Sequence, residues 1–97
     1  MVNPAVDVLN RVEVLIRAGQ YNAAIQLLSS NPQVYRYVVS LMIQALRSYP
    51  GGYIADTNGN LWPTSQLIRD LQRGNWSNRV LFNLLLSEIE IARQHFR

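Results

Sequence analysis

Side chains that could do catalytic chemistry are few in this sequence. His95 is the only histidine, there is no cysteine, and the acidic residues number six. No serine and acid are spaced around His95 as a catalytic triad requires. Glu88 lies two turns earlier on nearly the same helix face, too far for a direct hydrogen bond to His95. The absence of cysteine excludes disulfides and thiolate metal sites. We therefore predict a protein that is not an enzyme and that carries no cofactor and no metal.

The segment 56–60 (DTNGN) places oxygen-bearing side chains at alternate positions, as calcium loops do. Its glycine, however, stands at position four, and Leu67 stands at position twelve, where calcium loops have a bidentate acid. A β-hairpin explains these residues better, because Asn58-Gly59 is a preferred pair for a type I′ two-residue turn. In that register one strand face would carry Tyr53, Ala55 and Trp62, and the other Ile54 and Leu61.

Helical periodicity dominates the rest of the chain. Apolar stripes, two Asn-Pro starts at Asn3 and Asn31, and glycine stops predict an all-α fold, a compact bundle of about five helices. The predicted helices span 4–18, 21–29, 32–48, 65–73 and 77–96, and one small β-hairpin spans 53–62. The helix 32–48 has the widest apolar arc, so several neighbours should pack against it. We expect one helical domain, 1–97.

The basic residues are nine arginines and no lysine, and the net charge is +3. Acidic residues and arginines are equal in number near both ends of the chain, so the surplus of positive charge lies in the middle. Arg69 and Arg73 are one helical turn apart, where like charges repel unless an anion compensates. The central arginines are Arg36, Arg47, Arg69, Arg73 and Arg79.

Interface-forming residue types are concentrated beside these arginines. Trp, Tyr and Arg dominate the energetics of protein interfaces, and an isolated hairpin is marginal unless it packs on helices or pairs with another chain. We therefore predict a small protein-binding or self-assembly module, a homo-oligomer that associates through the hairpin or the exposed side of the last helix. It would serve as an assembly subunit, adaptor or inhibitor. The predicted protein-interaction residues are Tyr53, Trp62, Arg69, Arg73 and Trp76.

Two other interpretations remain open. In the first, the protein binds nucleic acid: Arg69, Arg73 and Arg79 would contact phosphates while Trp76 stacks on a base. In the second, both tryptophans anchor the core and the arginines only solvate the surface.

The remaining predictions concern partners and location. The densest apolar run, 80–86, is far shorter than a membrane span, so no membrane is expected. The start of the chain lacks the features of a secretory signal, and no motif indicates a small-molecule substrate. We predict a protein partner or a second copy, in the cytoplasm, or in the host cytoplasm or virion if the protein has a viral or mobile-element origin.

Overall fold

Residues 3–97 fold into five α-helices and one short β-hairpin, as the sequence predicts. The structure is a computed structural model and describes residues 3–97. A short 3₁₀ turn, Pro50–Gly52, precedes the hairpin. In chain order the elements are α1 (Pro4–Arg17), α2 (Tyr21–Ser29), α3 (Pro32–Arg47), β1 (Tyr53–Ala55), β2 (Leu61–Pro63), α4 (Thr64–Arg73) and α5 (Val80–Phe96).

The predicted start signals work through side-chain hydrogen bonds. The Asn3 side chain accepts from the backbone N–H groups of Ala5 and Val6, and that of Asn31 accepts from Val34. Each asparagine therefore satisfies backbone donors that have no partner inside the first turn of a helix. Gly74 ends α4 with φ of 74°, a left-handed conformation that costs glycine little.

The central helix α3 packs against α2, α4 and α5, which confirms that several neighbours cover it. Its buried side chains recur every fourth residue: Val34, Val38, Met42 and Leu46. They join one continuous core with the inward faces of the other helices and with Ile54 of the hairpin. The opposite side of α3 stays open, since Arg36, Ser40, Gln44 and Arg47 are exposed.

The last helix begins later than predicted, at Val80 and not at Ser77. The reason is local. The side-chain oxygen of Asn75 accepts from the backbone N–H of Ser77, and that of Asn78 accepts from the N–H of Val80. These asparagines stabilise turns that compete with helix, so 75–79 forms a loop between α4 and α5.

A partly buried ion pair joins the first and last helices. The Arg93 guanidinium donates to Glu13 Oε1 at 2.5 Å and to Asn10 Oδ1 at 2.6 Å. Glu13 also pairs with Arg17, one turn further along α1. These hydrogen bonds, chiefly the one from Arg93, hold the pKa of Glu13 below its usual value. The pair therefore fixes how α1 and α5 lie against each other.

Candidate protein-interaction surfaces

The hairpin register differs from the prediction. The strand pairs are Tyr53 with Pro63, Ile54 with Trp62, and Ala55 with Leu61. Trp62 therefore shares the inner face with the buried Ile54, and the predicted grouping of Tyr53 with Trp62 is wrong.

The turn explains this difference. Asp56 N–H donates to the Asn60 carbonyl, so three residues, and not two, form the loop. The Asp56 carboxylate accepts from the backbone N–H groups of Asn58 and Asn60 and from Trp62 Nε1 at 3.0 Å. Gly59 takes a φ of +82° and Asn58 does not take a positive φ, so the turn is not type I′. These hydrogen bonds lower the pKa of the Asp56 carboxyl, and the one from Trp62 has the largest effect.

The outward side of the hairpin is apolar and exposed. Tyr53 is 53% exposed and Leu61 is 64% exposed. Ala55 is also exposed beside them, and Tyr49, just before the hairpin, is another exposed large apolar side chain. We call Tyr53, Ala55 and Leu61 the hairpin face. Isolated apolar residues are ordinary on a surface, but a group on one short sheet indicates an interaction site.

Both tryptophans have partners inside the chain. Trp62 is half-buried and its indole N–H is bonded to Asp56. Trp76 is also half-buried, and its indole N–H donates to the Tyr35 hydroxyl at 3.1 Å. This agrees with the interpretation that the indoles anchor the fold, and it leaves Tyr53 as the aromatic residue of the predicted set that is largely exposed.

An aromatic cluster holds the loop before α5 in place. Phe82 lies at the centre, with its ring centroid 4.7 Å from that of Tyr21 and 5.6 Å from that of Trp76. The Arg79 guanidinium sits 4.2 Å above the Tyr21 ring, a cation–π contact. Sequence reasoning missed Tyr21, Tyr35 and Phe82 because no local spacing connects positions so far apart in the chain.

The predicted arginines Arg69 and Arg73 are exposed on α4. Within residues 3–97 the ion pairs involve only Arg11, Arg17 and Arg93. Arg36, Arg47, Arg69, Arg73 and Arg79 therefore form none with the described acids. Apart from Arg79, which lies over the Tyr21 ring, they remain available for carboxylates or phosphates, which guanidinium groups bind in bidentate geometry.

A second surface combines two of these arginines with apolar side chains. Arg36 and Arg47 line a groove of about 480 Å³ between α3 and α4. Its apolar lining is Tyr35, Val39, Ile43 and Leu71. We call this the α3–α4 groove.

A larger concave region, which is polar, lies elsewhere. It has a volume of about 620 Å³ and lies between the hairpin turn, α4 and the loop 75–79. Asp56, Asp70 and Arg79 line it together with several amide side chains. Asp56 and Arg79 are already engaged by Trp62 and Tyr21, respectively.

His95 and Glu88, two residues of the last helix with side chains that could transfer protons, lie in different surroundings. The His95 ring stacks on Tyr37 with centroids 3.9 Å apart, and burial raises the pKa of Glu88. No group of three or more His, Cys, Asp or Glu side chains suited to a metal ion is found in the described part of the chain.

Comparisons of this chain with protein-family models, with curated proteins and with solved structures found no match. Its function must therefore be inferred from its own surfaces. Among residues 3–97, no helix has both the length and the apolar character needed to cross a membrane.

Proposed function

We propose that the protein is a non-enzymatic interaction module that self-associates through its hairpin face. The supporting observation is the exposed, uncharged outer side of a two-stranded sheet, with Tyr53 53% and Leu61 64% exposed. A sheet of two strands alone buries too little apolar surface to be stable in water. A larger sheet gains further backbone hydrogen bonds and also buries more apolar surface.

A second copy is the partner that this surface fits. In a two-fold contact the same patch meets itself, so any charge would face a like charge. The segment 48–55 carries no charged residue, and neither does 60–66. The acid between them, Asp56, uses its carboxylate on the turn and on Trp62. A contact between two hairpins therefore brings together uncharged side chains of these two segments, and Asp56 is the one charged residue between them.

The first strand is the better edge for this pairing. Pro63 lies in β2 and has no backbone N–H to donate, which weakens that edge. β2 also contacts α4, and within residues 3–97 the strand paired with β1 is β2. Antiparallel pairing of β1 with β1 of a second copy would give a four-stranded sheet across the two-fold axis. Tyr53 and Leu61 of both copies would lie on one face of it.

Tyr53→Ser combined with Leu61→Ser should convert the protein to a monomer, because Tyr53 loses its cross-strand contact with β1 of the second copy and serine removes the apolar side chains that support both strands of the sheet. Sedimentation velocity at about micromolar protein concentration measures this. At that concentration, a binding free energy of about −8 kcal/mol leaves roughly half of the protein as dimer. Val14→Ser is the matched control: Val14 is 66% exposed on α1, a helix that packs against α2 and α5. That variant should associate like the parent.

Two results would refute the proposal. One is a parent protein that sediments only as a monomer. The other is dissociation by Ile91→Ser but not by the hairpin double variant. Ile91 is 51% exposed on α5, so this outcome would place the interface on the last helix.

Nucleic acid is a second candidate partner, supported by the exposed arginines of α4. Arg69→Ala with Arg73→Ala should weaken binding to single-stranded oligonucleotides of any sequence alike. It should also reduce the slope of log K against log salt by about 1.4, the loss of two phosphate contacts. Fluorescence anisotropy at several salt concentrations provides the measurement, with Arg11→Ala and Arg17→Ala as the charge-matched control. If the α4 double variant binds as well as the parent, this candidate is excluded.

A further inference from the structure

One side of α3 carries more apolar surface than the neighbouring helices cover. Val34, Val38, Met42 and Leu46 are buried against the core. The next positions around the helix, Tyr35, Val39 and Ile43, are only half-buried and face the α3–α4 groove. Leu71, on the α4 side, is 2% exposed and completes its apolar lining. This apolar strip has room for further apolar side chains.

An arginine lies at each end of this apolar strip on α3. Arg36 and Arg47 are eleven residues apart on α3, which places them near the same helix face and about 16 Å apart along the axis. Neither makes an ion pair with an acid in the described residues. No Asp or Glu occurs between Glu13 and Asp56, so α3 contains no acid of its own. Val39 and Ile43 lie between the two arginines along α3.

The lining distinguishes between anionic partners. Single-stranded nucleic acid needs exposed aromatic faces on which bases stack. The middle of this groove carries aliphatic Val39 and Ile43 beside the uncharged Ser40 and Gln44. The one aromatic residue, Tyr35, accepts a hydrogen bond from Trp76 and packs edge-on against it. Aliphatic positions between two arginines complement a helix with apolar residues on one face and carboxylates flanking them.

From this complementarity we infer that the α3–α4 groove docks an acidic amphipathic helix of a partner protein. About three turns of such a helix span the 16 Å between the two arginines. Its apolar residues contact Val39 and Ile43 while its carboxylates pair with Arg36 and Arg47. This surface is separate from the hairpin face and its use does not depend on self-association.

The test uses three synthetic peptides of about fifteen residues, long enough to extend a turn beyond the groove. One is an amphipathic helix with glutamates flanking a leucine face. The second has each glutamate replaced by glutamine, and the third is the acidic peptide in scrambled order. Fluorescence anisotropy of the labelled peptides gives their affinity for the full chain.

The acidic amphipathic peptide should bind, and both other peptides should bind at least about tenfold more weakly, since charge-assisted bonds and the apolar contact are each required. Arg36→Gln with Arg47→Gln should weaken binding by a similar factor. Arg11→Gln with Arg17→Gln makes the same charge change on α1, where these side chains are 68% and 64% exposed, and should leave binding unchanged. Ile43→Ser tests the apolar contact alone and should also weaken it.

Three outcomes would overturn the inference. The first is equal weakening by the two double variants, which would indicate general charge attraction. The second is equal affinity for the acidic and scrambled peptides. The third is a single-stranded oligonucleotide that binds more tightly than the acidic peptide and loses this affinity in the Arg36 and Arg47 double variant.

Discussion

Phe82→Ala is expected to lower the free energy of unfolding by about 3–5 kcal/mol. Phe82 is 3% exposed, and its ring contacts both Tyr21 of α2 and Trp76 of the loop 75–79. Removing the ring leaves a cavity at the junction of α2, the loop and α5. Trp76 should then become more exposed to water, with a red-shifted fluorescence emission. Urea denaturation measures the loss of stability.

The second phenylalanine provides a matched control. Phe96 is half-buried near the C-terminal end of α5, where its ring contacts Tyr37 and His95. Phe96→Ala should therefore lower the free energy of unfolding clearly less than Phe82→Ala does. If Phe82→Ala does not fold, Phe82→Leu keeps part of the volume and should show a smaller loss. Equal losses for the two alanine variants would mean that the aromatic cluster is not a principal part of the core.

Arg93→Met should lower the free energy of unfolding by about 1–3 kcal/mol at neutral pH. The Arg93 side chain is 18% exposed and that of Glu13 is 23% exposed, so water screens their contact only partly. Methionine keeps the apolar stem but loses the bonds to Glu13 and Asn10. The matched control is Arg17→Met, because Arg17 binds the same carboxylate from a position that is 64% exposed. That exposed pair should contribute only about 0.2–1 kcal/mol.

The effect of Arg93→Met should depend on pH in a definite direction. Hydrogen bonds from Arg93 and then Arg17 hold the pKa of Glu13 below its ordinary 4.5. For a carboxyl whose pKa is lowered in the folded state, the stabilisation is complete above the unfolded value and is lost as the pH falls through the folded value. The stability difference between parent and variant should therefore shrink below about pH 4.5. A difference that stays constant into strong acid would show that Arg93 acts through its hydrogen bond to Asn10 and not through its ion pair with Glu13.

The predicted helices and the structure agree because the signals for them are local. Asn3 and Asn31 start α1 and α3 through contacts with residues two or three positions away. Where such local signals compete, the prediction was less accurate. Asn75 and Asn78 delayed the start of α5 by forming turns of their own. In the hairpin, Asn58-Gly59 predicted a two-residue turn, but the carboxylate of Asp56 stabilises a three-residue loop.

The candidate surfaces were less predictable than the helices. The sequence indicates an interaction site by residue type and by closeness along the chain, at Tyr53, Trp62, Arg69, Arg73 and Trp76. In the structure both indoles are half-buried with internal hydrogen-bond partners, while Tyr53 and the two arginines are exposed. The sequence indicates Arg36 and Arg47 only as part of a charge surplus. Helical spacing places them beside Val39 and Ile43, but how much of these two side chains stays uncovered depends on how closely α4 approaches α3.

By itself, the sequence determined which segments are helical, where α1 and α3 begin, and that one hairpin interrupts the bundle. Apolar periodicity, asparagine caps and glycine stops each act within a few residues, so they can be read without knowing the fold. Only the tertiary structure decided which face of the hairpin is exposed, which aromatic rings meet around Phe82, and how much of α3 remains uncovered. These outcomes depend on contacts between residues as far apart as Tyr35 and Trp76, whose energies arise only when the helices pack together.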